Sequence, residues 1–484
     1  MIFSHLQKMH TIGGNMEDTR KLEIRKNREE RQYNRLLKIK GKGRYAWYFA
    51  VLVGVILLVD LLDNFVTSVN SNVTSCYINE FFVNGRLFGS DYTYEEGLAL
   101  NNTFNLIGYV IGLLVPFYKA LGDKFGRKPL FIISTLGMAL GLIVVFISKS
   151  YFGFLIGSFI ISFFISHDIQ IIYILEEAPS KKRATIYSLL KGLGALGTFF
   201  IPLLRLTVMH NDPTLWRNIY LLPGLCGIAI SVIVLFLAKE SKVYVDDKIK
   251  YLEIPFEERI RMEEERKAQK KADANKSGIF NAIKYIFQHK ELRTLVIIKT
   301  IFDAAIIAMT MYESIMANAS METADITKAL FPYPIIYCVS VILSGFLADK
   351  IGRKKIIVIF GSLCVLSFVL FIVSVLNHNS FNPYLIGIFY GLYIGGYWIG
   401  RDYMEIISTE MVPTDIRASI IGAEGLLVYI GMAAGFAFVN IGMLFIPIWL
   451  ACMIFSVPCI LVSVILLFIK VKETKGVDYE SIEG

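Results

Sequence analysis

The sequence predicts an all-α membrane protein, with twelve transmembrane helices arranged as two pseudo-symmetric six-helix bundles. The first supporting observation is composition: 55% of the 484 residues are hydrophobic, more than a soluble domain covers with an ordinary polar surface. The second is duplication, because a polar motif at residues 176–186 returns at residues 410–420. Since each copy joins two long apolar runs, the duplicated unit is itself a membrane unit.

The two copies of the motif agree in spacing as well as in composition. Four residues keep one offset of 234 positions (410 − 176): Glu176, Pro179, Arg183 and Ala184 become Glu410, Pro413, Arg417 and Ala418. In the same register, His167-Asp168 aligns with Arg401-Asp402. A second pair of segments, 123–128 and 349–354, repeats the pattern Asp-Lys-x-Gly-Arg-Lys. Two motifs repeated at nearly constant offset indicate an internal repeat.

Apolar stretches of about 20 residues, the length that crosses a bilayer, occur six times on each side of a polar linker. We place them at 46–70, 95–120, 129–148, 152–175, 184–208, 217–238, 293–316, 325–347, 355–376, 382–408, 418–439 and 444–470. Lys and Arg concentrate in alternate loops, and the positive-inside rule assigns those loops to the cytoplasm. We therefore expect a multi-pass protein of the cell membrane (plasma or inner) with both termini in the cytoplasm.

The polar segments divide the chain into five parts. We expect a basic cytoplasmic arm, a first bundle, a cytoplasmic linker, a second bundle and a cytoplasmic tail, at residues 1–44, 45–238, 239–292, 293–470 and 471–484. The arm is rich in Lys and Arg with only scattered apolar residues, so we expect it to be mostly disordered. In the linker, a highly charged helix precedes a short amphipathic helix at the membrane surface. The linker either braces the two bundles or simply tethers them.

The composition also argues against several classes of function. The net charge of +8 follows the topology of the loops, so it does not indicate a nucleic-acid partner. The six cysteines lack the spacing of metal ligands. No nucleophile–base pair, phosphate-binding loop or metal-ligand cluster is recognisable in the sequence. We therefore expect neither an enzyme nor a bound cofactor or metal.

Ionisable residues inside apolar spans cost roughly 2.5–3.5 kcal/mol each and usually serve a function. Asp60 and Asp63 lie one helical turn apart in the first span. Two carboxylates at this spacing repel each other when both are ionised, so one of them favours a bound proton. Asp60 and Asp63, with His167 and Asp168 of the fourth span, are therefore candidates for proton coupling. Alternatively, Asp168 and its counterpart Asp402 only hold helix ends by hydrogen bonds.

The tenth span carries a row of aromatic and charged side chains. Tyr390, Tyr393, Tyr397 and Arg401 follow one face at helical spacing, which suits an organic solute with an anionic group and a flat surface. Other ionisable residues of the spans complete the candidate solute site: Asp402, Glu405, Lys299, Asp303, Glu424 and Lys191. Two plainer interpretations stay open. In one the tyrosines only pack against other helices, and in the other Lys299 and Asp303 only neutralise each other.

The loop motifs resemble those of the major facilitator superfamily, and the similarity covers essentially the whole chain after residue 44. The superfamily signature Gly-x-x-x-Asp-Lys/Arg-x-Gly-Arg-Lys/Arg is complete in the second copy, from Gly345 to Lys354. In the first copy, Lys119 stands in the place of the leading glycine. The Glu-x-x-Pro-x-x-x-Arg motifs, with Lys239-Glu240-Ser241 and residues 472–476, are similar to those of the sugar-porter and metabolite–proton symporter branches.

This resemblance implies that loop charges form networks at the cytoplasmic helix ends and hold the outward-open state. The residues concerned are Asp123, Arg127, Asp349, Arg353, Glu176, Arg183, Glu410 and Arg417. It also implies transport of a small solute by alternating access. Because span seven has Lys299 and Asp303 where sugar porters carry paired glutamines, we expect a charged or strongly polar metabolite rather than a neutral hexose.

These observations together predict a secondary active transporter that moves a small polar or anionic organic metabolite and is coupled to protons. In this hypothesis Asp60 or Asp63 carries the proton, and Arg401 meets the solute beside Tyr393 and Tyr397. Three other functions stay open at this point. They are a sugar uniporter or symporter, a drug or metabolite exporter, and a nutrient sensor that binds its solute without moving it.

Overall fold

The computed structural model describes residues 16–41, 47–85, 87–112, 125–165, 173, 183–273, 279–412 and 417–473. In this part of the chain every regular element is helical, and no strand is present. Among the described residues, helices α1 to α12, numbered in chain order, form the bundle and fall at the twelve predicted spans. The predicted class, an all-α membrane protein, is confirmed.

The first half contains helices α1 to α6. Their bounds are Tyr48–Val69 (α1), Tyr94–Gly112 (α2), Arg127–Ile147 (α3), Tyr151–Phe164 (α4) and Asn218–Leu237 (α6). Helix α5 consists of Arg183–Gly194, a 3-10 segment Ala195–Phe199, and Phe200–Thr207. Short helical segments lie in the connections, at Asn70–Asn72, Thr74–Ile78, Asn79–Val83, Leu87–Gly89 and Pro213–Leu215.

The second half contains helices α7 to α12. Helix α7 is broken into Lys290–Asp303, Ile306–Thr310 and Tyr312–Asn318, and its last segment is inclined by 47°. Helix α8 consists of Thr323–Leu330 and Pro332–Ile351, and its break fits the preference of proline for the first position of a helix. The remaining bounds are Arg353–Leu376 (α9), Pro383–Glu410 (α10), Arg417–Met443 (α11) and Ile448–Lys470 (α12), with a 3-10 turn at His378–Ser380.

Most of these helices have the length and composition of membrane spans. Eight of them qualify individually, and α7 is a ninth when its segments are taken together. Of the other three, α2 and α4 adjoin residues outside the described part. Helix α10 has 28 residues, but tyrosines, glycines and charges lower its hydropathy.

Contacts between helices repeat from one half to the other. Helix α1 packs against α5 as α7 packs against α11, and α3 packs against α6 as α9 packs against α12. The halves meet through α2 with α11 and through α5 with α8. This arrangement is the pseudo-symmetry that the duplicated motifs predict.

Glycines allow the closest helix crossings in each half. A Cβ on Gly197 of α5 would overlap the carbonyl oxygen of Leu61 in α1. In the second half, a Cβ on Gly435 of α11 would overlap the carbonyl oxygen of Ala304. A side chain at either position would push the two backbones apart. These glycines therefore bring α1 and α7, the helices that carry buried charges, close to their neighbours.

An amino-terminal helix, Met16–Gly41, packs against the linker helix Lys242–Glu253. A second linker helix, Phe256–Asp273, binds it through ion pairs: Arg25 lies 2.5 Å from Glu263, and Arg259 lies 2.6 Å from Glu29. We call the end of the bundle that carries these helices the linker end, and the opposite one the distal end.

The prediction of a mostly disordered arm is wrong for Met16–Gly41. Tyr33, Leu36 and Ile39 recur at i, i+3 spacing and form a narrow apolar stripe on this helix. The stripe packs on buried residues of the linker, with Leu36 against Tyr244. Because charged residues surround the stripe on the rest of the helix, a composition argument that weighs the whole segment at once misses it.

The predicted amphipathic linker helix is present as Ile279–Gln288. Its apolar face is covered by protein, because Ala282 and Ile286 are buried together with Ile420 and Ala423 of α11. This helix leads directly into α7. The linker therefore contacts the second half here, while its first helix holds the amino-terminal helix.

Candidate functional site

Lys299 of α7 stands between two carboxylates from other helices. Its ammonium lies 2.9 Å from Glu424 Oε1 of α11 and also contacts Glu405 of α10. The Ser408 hydroxyl donates to the other oxygen of Glu424. Lys299 and Glu424 are buried, whereas the Glu405 side chain is 45% exposed. The group therefore links three helices of the second half and reaches accessible space through Glu405.

Asp303 of α7, one turn further along, is held by α10. Its carboxylate accepts the Tyr397 hydroxyl at 3.0 Å and Arg401 Nε at 3.2 Å. Asp303 is fully buried, and the Arg401 side chain is 30% exposed. The Arg401 guanidinium also lies 5.1 Å from the ring centroid of Trp398, a cation–π distance. The suggestion that Lys299 and Asp303 neutralise each other is therefore wrong, because each binds partners on other helices.

The three predicted site tyrosines of α10, Tyr390, Tyr393 and Tyr397, are buried between helices. Tyr390 donates to the Met309 carbonyl at 3.0 Å, and its ring stacks on Tyr312 with centroids 4.0 Å apart. Tyr393 stacks on Phe368 of α9 at 4.6 Å, so it faces a different neighbour. Its hydroxyl has no hydrogen-bond partner among the described residues. Solute contact by Tyr390 and Tyr393 stays a prediction.

The two carboxylates of α1 are also buried. Asp60 packs directly on α5, where a Cβ on Gly194 would overlap Asp60 Oδ2. Asp63 lies one turn nearer the distal end, and its backbone carbonyl accepts the Thr67 hydroxyl at 2.7 Å. Both side chains are therefore buried, with Asp60 at a close crossing with α5.

Lys191 and Asp402 connect the two halves electrostatically. Lys191 lies on α5, and its charge acts on the carboxylate of Asp402 on α10. The Asp402 residue is exposed. Its carboxylate also interacts electrostatically with the charges of Arg401, Glu405 and Asp303. Charged residues of the two halves therefore lie near each other at this position.

At the linker end, each half carries the same carboxylate cap. Gly126 and Gly352 have φ of +104° and +99°, which favours glycine, and each precedes the first residue of α3 or α9. Glu240 accepts the backbone N–H of Arg127 at 2.7 Å, and Glu473 accepts that of Arg353 at 2.9 Å. A carboxylate at a helix N-terminus satisfies open N–H groups and complements the helix dipole.

The predicted gate at the linker end is described only in part. Arg353 Nε lies 3.5 Å from Glu410 Oε1, so these two predicted partners are brought together. His167, Asp168, Asp123 and Glu176 lie outside the described residues. The side chains of Arg183, Asp349 and Arg417 also lie outside them. Their roles stay predictions.

At the distal end, hydrogen bonds join the two halves. Asn102 of α2 donates to Asn440 of α11 at 2.9 Å. Asn318 at the end of α7 donates to Glu95 of α2 at 2.8 Å. A buried ion pair, Arg205 with Glu313, crosses the same interface, although neither residue was predicted to belong to a site. Both are charges inside apolar spans, but no feature of the sequence pairs α5 with α7.

The described residues contain no group of three or more His, Cys, Asp or Glu side chains placed to hold a metal ion. What they offer instead is a set of charges spread over α5, α7, α10 and α11. These charges can bind a polar solute, exchange a proton, or change partners when the halves move.

The chain belongs to a known family of membrane transporters. The family model of the Major Facilitator Superfamily matches residues 90–436. This match places the chain in that superfamily, as the loop motifs predicted. The protein is thus a membrane-spanning transporter of small metabolites and not an enzyme.

Two other proteins are similar in sequence. The cis,cis-muconate transport protein of Acinetobacter baylyi (strain ATCC 33305 / BD413 / ADP1) is 24% identical over 395 residues, covering 78% of this chain and 84% of that protein. A putative proline/betaine transporter of Staphylococcus haemolyticus (strain JCSC1435) is 25% identical over 297 residues, covering 56% of this chain and 57% of that protein.

A solved structure shares the fold. The inward-open xylose transporter XylE from E. coli matches with a TM-score of 0.61 at 16% identity, covering 90% of this chain and 99% of that one. At this identity the similarity concerns the fold alone. The arrangement of twelve helices in two halves is therefore common to both proteins.

Proposed function

We propose that this protein is a proton-coupled secondary transporter of the cell membrane that moves a small polar or charged metabolite by alternating access. The observation that carries the proposal is the set of ionisable side chains held between α7, α10 and α11. Each such group costs roughly 2.5–3.5 kcal/mol in an apolar span. A purely structural helix bundle would have no reason to retain ionisable groups at this cost. In the proposal these side chains bind the solute, and Asp60 or Asp63 binds the proton.

Arg401 is the residue best placed to meet a solute carboxylate. Its carboxylate partner, Asp303, binds Nε, so the two terminal nitrogens of the guanidinium still have donors to offer. Asp402 follows Arg401 directly and Glu405 lies one turn further along; both are accessible and present negative charge. Charges of both signs on one stretch of α10 support a charged or zwitterionic solute over a neutral one.

The proposal also assigns the orientation of the protein. Lys and Arg are concentrated in the loops at the linker end, including Lys350, Arg353 and Lys354. By the positive-inside rule this end, with both termini, faces the cytoplasm. The distal end then faces the outside.

Uptake into proteoliposomes tests the function. The panel follows the names of the similar proteins: cis,cis-muconate, proline, glycine betaine and D-xylose. We expect uptake of at least one charged member of the panel to rise when the outside is made acidic, because protons then flow inward with the solute. Uptake that ignores an imposed pH gradient would identify a uniporter instead.

Conservative substitutions test the coupling residues. We expect Asp60→Asn or Asp63→Asn to lower gradient-driven uptake to the level seen without a gradient, since an amide cannot exchange the proton. Binding of the same solute, measured by thermal shift, should persist. Asp246→Asn is the matched control, because this carboxylate pairs with Lys40 in the linker outside the bundle. If both α1 variants keep normal gradient-driven uptake, the assignment of the proton site is wrong.

A further inference from the structure

Arg205 and Glu313 form a fully buried ion pair between the two halves at the distal end. We propose that this pair, with the residues that bind it, is a distal latch that holds the outer entrance shut and separates when the transporter opens outward. The proposal rests on the alternating access proposed above. Its test, however, reads the conformation of the protein and not the movement of any solute.

Arg205 reaches from α5 in the first half into the second half. Its Nε donates to the Thr327 hydroxyl of α8 at 3.1 Å, and its Nη1 lies 3.6 Å from Glu313 Oε1. The same Nη1 donates to the carbonyl of Asn72, which follows α1. One guanidinium therefore ties α1 and α5 to α7 and α8.

Glu313 reaches from α7 in the second half into the first half. It belongs to the last segment of α7, and its carboxylate accepts the Ser75 backbone N–H at 2.8 Å and the Ser75 hydroxyl at 2.5 Å. Ser75 lies in the first half, in the connection after α1. Both charged groups of the latch are therefore bound by the half to which they do not belong.

The energetics suit a reversible closure. In the closed state the two charges compensate each other and are also hydrogen-bonded, as buried charges require. When the entrance opens, water replaces these partners, so separation does not leave a bare charge. Neutralising one member removes this balance, because the other charge is then buried without its counterpart. Such a change destabilises the closed state selectively and shifts the population toward the open one.

The chain contains its own reporter for this movement. Cys76 adjoins Ser75, is 4% exposed, and is a free cysteine. In the closed state it is shielded from a thiol reagent, and we expect opening of the distal end, which separates Ser75 from Glu313, to expose it. Its rate of modification therefore measures how often the latch separates.

The experiment uses the full-length protein in intact cells, treated with a membrane-impermeant maleimide. Mass spectrometry of the peptide that contains Cys76 gives the labelling rate. We expect Glu313→Gln and Arg205→Gln each to label about tenfold faster or more than the unmodified protein, since removing one partner of a buried pair is strongly destabilising. Glu313→Gln keeps an oxygen that accepts from Ser75, so it removes the charge with little change in shape.

Two further variants separate the latch from a general loss of structure. Glu80→Gln breaks a bidentate ion pair in which each terminal nitrogen of Arg217 lies 2.7 Å from one oxygen of Glu80. This pair lies at the distal end but within the first half. The variant should leave the rate close to that of the unmodified protein. The double variant Arg205→Gln with Glu313→Gln leaves no unpaired charge and should label more slowly than either single variant. If a single variant does not fold, Ser75→Ala, which removes one hydrogen bond to Glu313, should still raise the rate.

The outcomes decide between the claims. Labelling rates in Glu313→Gln and Arg205→Gln that equal the rate of Glu80→Gln would overturn the latch. Faster labelling only in inverted vesicles would keep the latch and overturn the proposed orientation. Faster labelling without any pH-driven uptake would keep the latch and overturn proton coupling.

Discussion

Lys299 is the residue on which the central charges depend. Its single positive charge faces Glu405 and Glu424, so the group has one negative charge in excess when all three are ionised. A proton on either glutamate, or a positive group of a solute, would remove that excess. Without the lysine, two carboxylates would face each other in an apolar bundle, which is a large penalty.

We predict that Lys299→Met lowers the free energy of unfolding by about 3–5 kcal/mol, the usual effect of breaking a buried ion pair. Thermal unfolding of the purified protein in detergent measures the change. Adding Glu424→Gln to this variant should recover part of the loss, because it removes one uncompensated charge.

Lys328→Met provides the control for this prediction. Lys328 pairs with Asp325 at 2.7 Å, but both side chains are substantially exposed. Exposed pairs contribute about 0–1 kcal/mol, so this change should be small. An equally small effect at position 299 would mean that water reaches the central group freely.

Single residues also show what sequence reasoning can and cannot supply. The cost of charge in an apolar span identified Lys299, Asp303, Arg401 and Glu424 as special. It did not identify their partners, because pairing depends on how α7, α10 and α11 rotate about their axes. The spacing of Lys299 and Asp303 suggested a pair within one helix, and tertiary contacts decided otherwise.

At the scale of elements, the amino-terminal helix depends on a small apolar contact. Leu36 is 5% exposed and packs with Tyr244, Val245 and Ile249. Of the surrounding ion pairs, Arg25 with Glu263 is partly exposed and adds little, whereas Arg259 with Glu29 is largely buried. Burial of the apolar stripe and this buried pair therefore hold the helix on the linker.

We predict that Leu36→Asp releases the amino-terminal helix, because it loses about 1.5–3 kcal/mol of apolar burial and places a charge in the contact. Hydrogen exchange of the backbone amides between residues 20 and 41 should become faster. Leu37→Asp is the matched control, since Leu37 is 40% exposed and points away from the contact. Equal exchange in the two variants would contradict the packing described here.

The long elements follow the sequence closely, whereas the short and broken ones do not. Apolar runs near 20 residues placed the spans within a few residues wherever both ends are described, because the bilayer sets their length. The breaks in α7 follow no Pro or Gly signal, as Ala304 and Ala305 separate its first two segments. A docked arm is equally hard to foresee, because its partner surface exists only after the linker has folded.

For the whole molecule, contacts of different kinds hold the chain together within each half and between the halves. Within each half, glycine crossings such as Gly197 on Leu61 hold backbones close together. At the distal end, the two halves are instead joined by hydrogen bonds such as that of Asn102 with Asn440. Polar contacts that water can replace are suited to repeated separation.

We predict that a cross-link between the halves stops transport. In Asn102→Cys with Asn440→Cys, oxidation joins positions whose side chains are 2.9 Å apart, and uptake should fall to background because the distal end stays shut. A reducing agent should restore it. Uptake into proteoliposomes before and after reduction measures the effect.

The control is a cross-link within one half. Asn70 and Ser158 lie 3.1 Å apart in the first half. Joining Asn70→Cys to Ser158→Cys should leave uptake largely unchanged, since in the proposed mechanism this half moves as one body. Continued uptake with the first cross-link in place would rule out opening of the distal end as a step of transport.

Duplication in the sequence was enough to predict the overall architecture. The offset between Glu176 and Glu410 implied two equivalent halves, and the paired contacts of α1 with α5 and α7 with α11 follow that rule. The conformational state, that is, which end of the bundle is closed, could not be predicted from the duplication. Whether the distal or the linker end is closed depends on small free-energy differences between two arrangements of the same contacts.

Helix α7 carries a carboxylate on each side of its breaks. Asp303 ends the first segment, in the central charge group, and Glu313 lies in the last, in the distal latch. A swivel at the 47° joint between them would alter the surroundings of both acids together. Binding of a solute at the central charge group and opening of the distal end would then both depend on one quantity, the angle between the segments of α7.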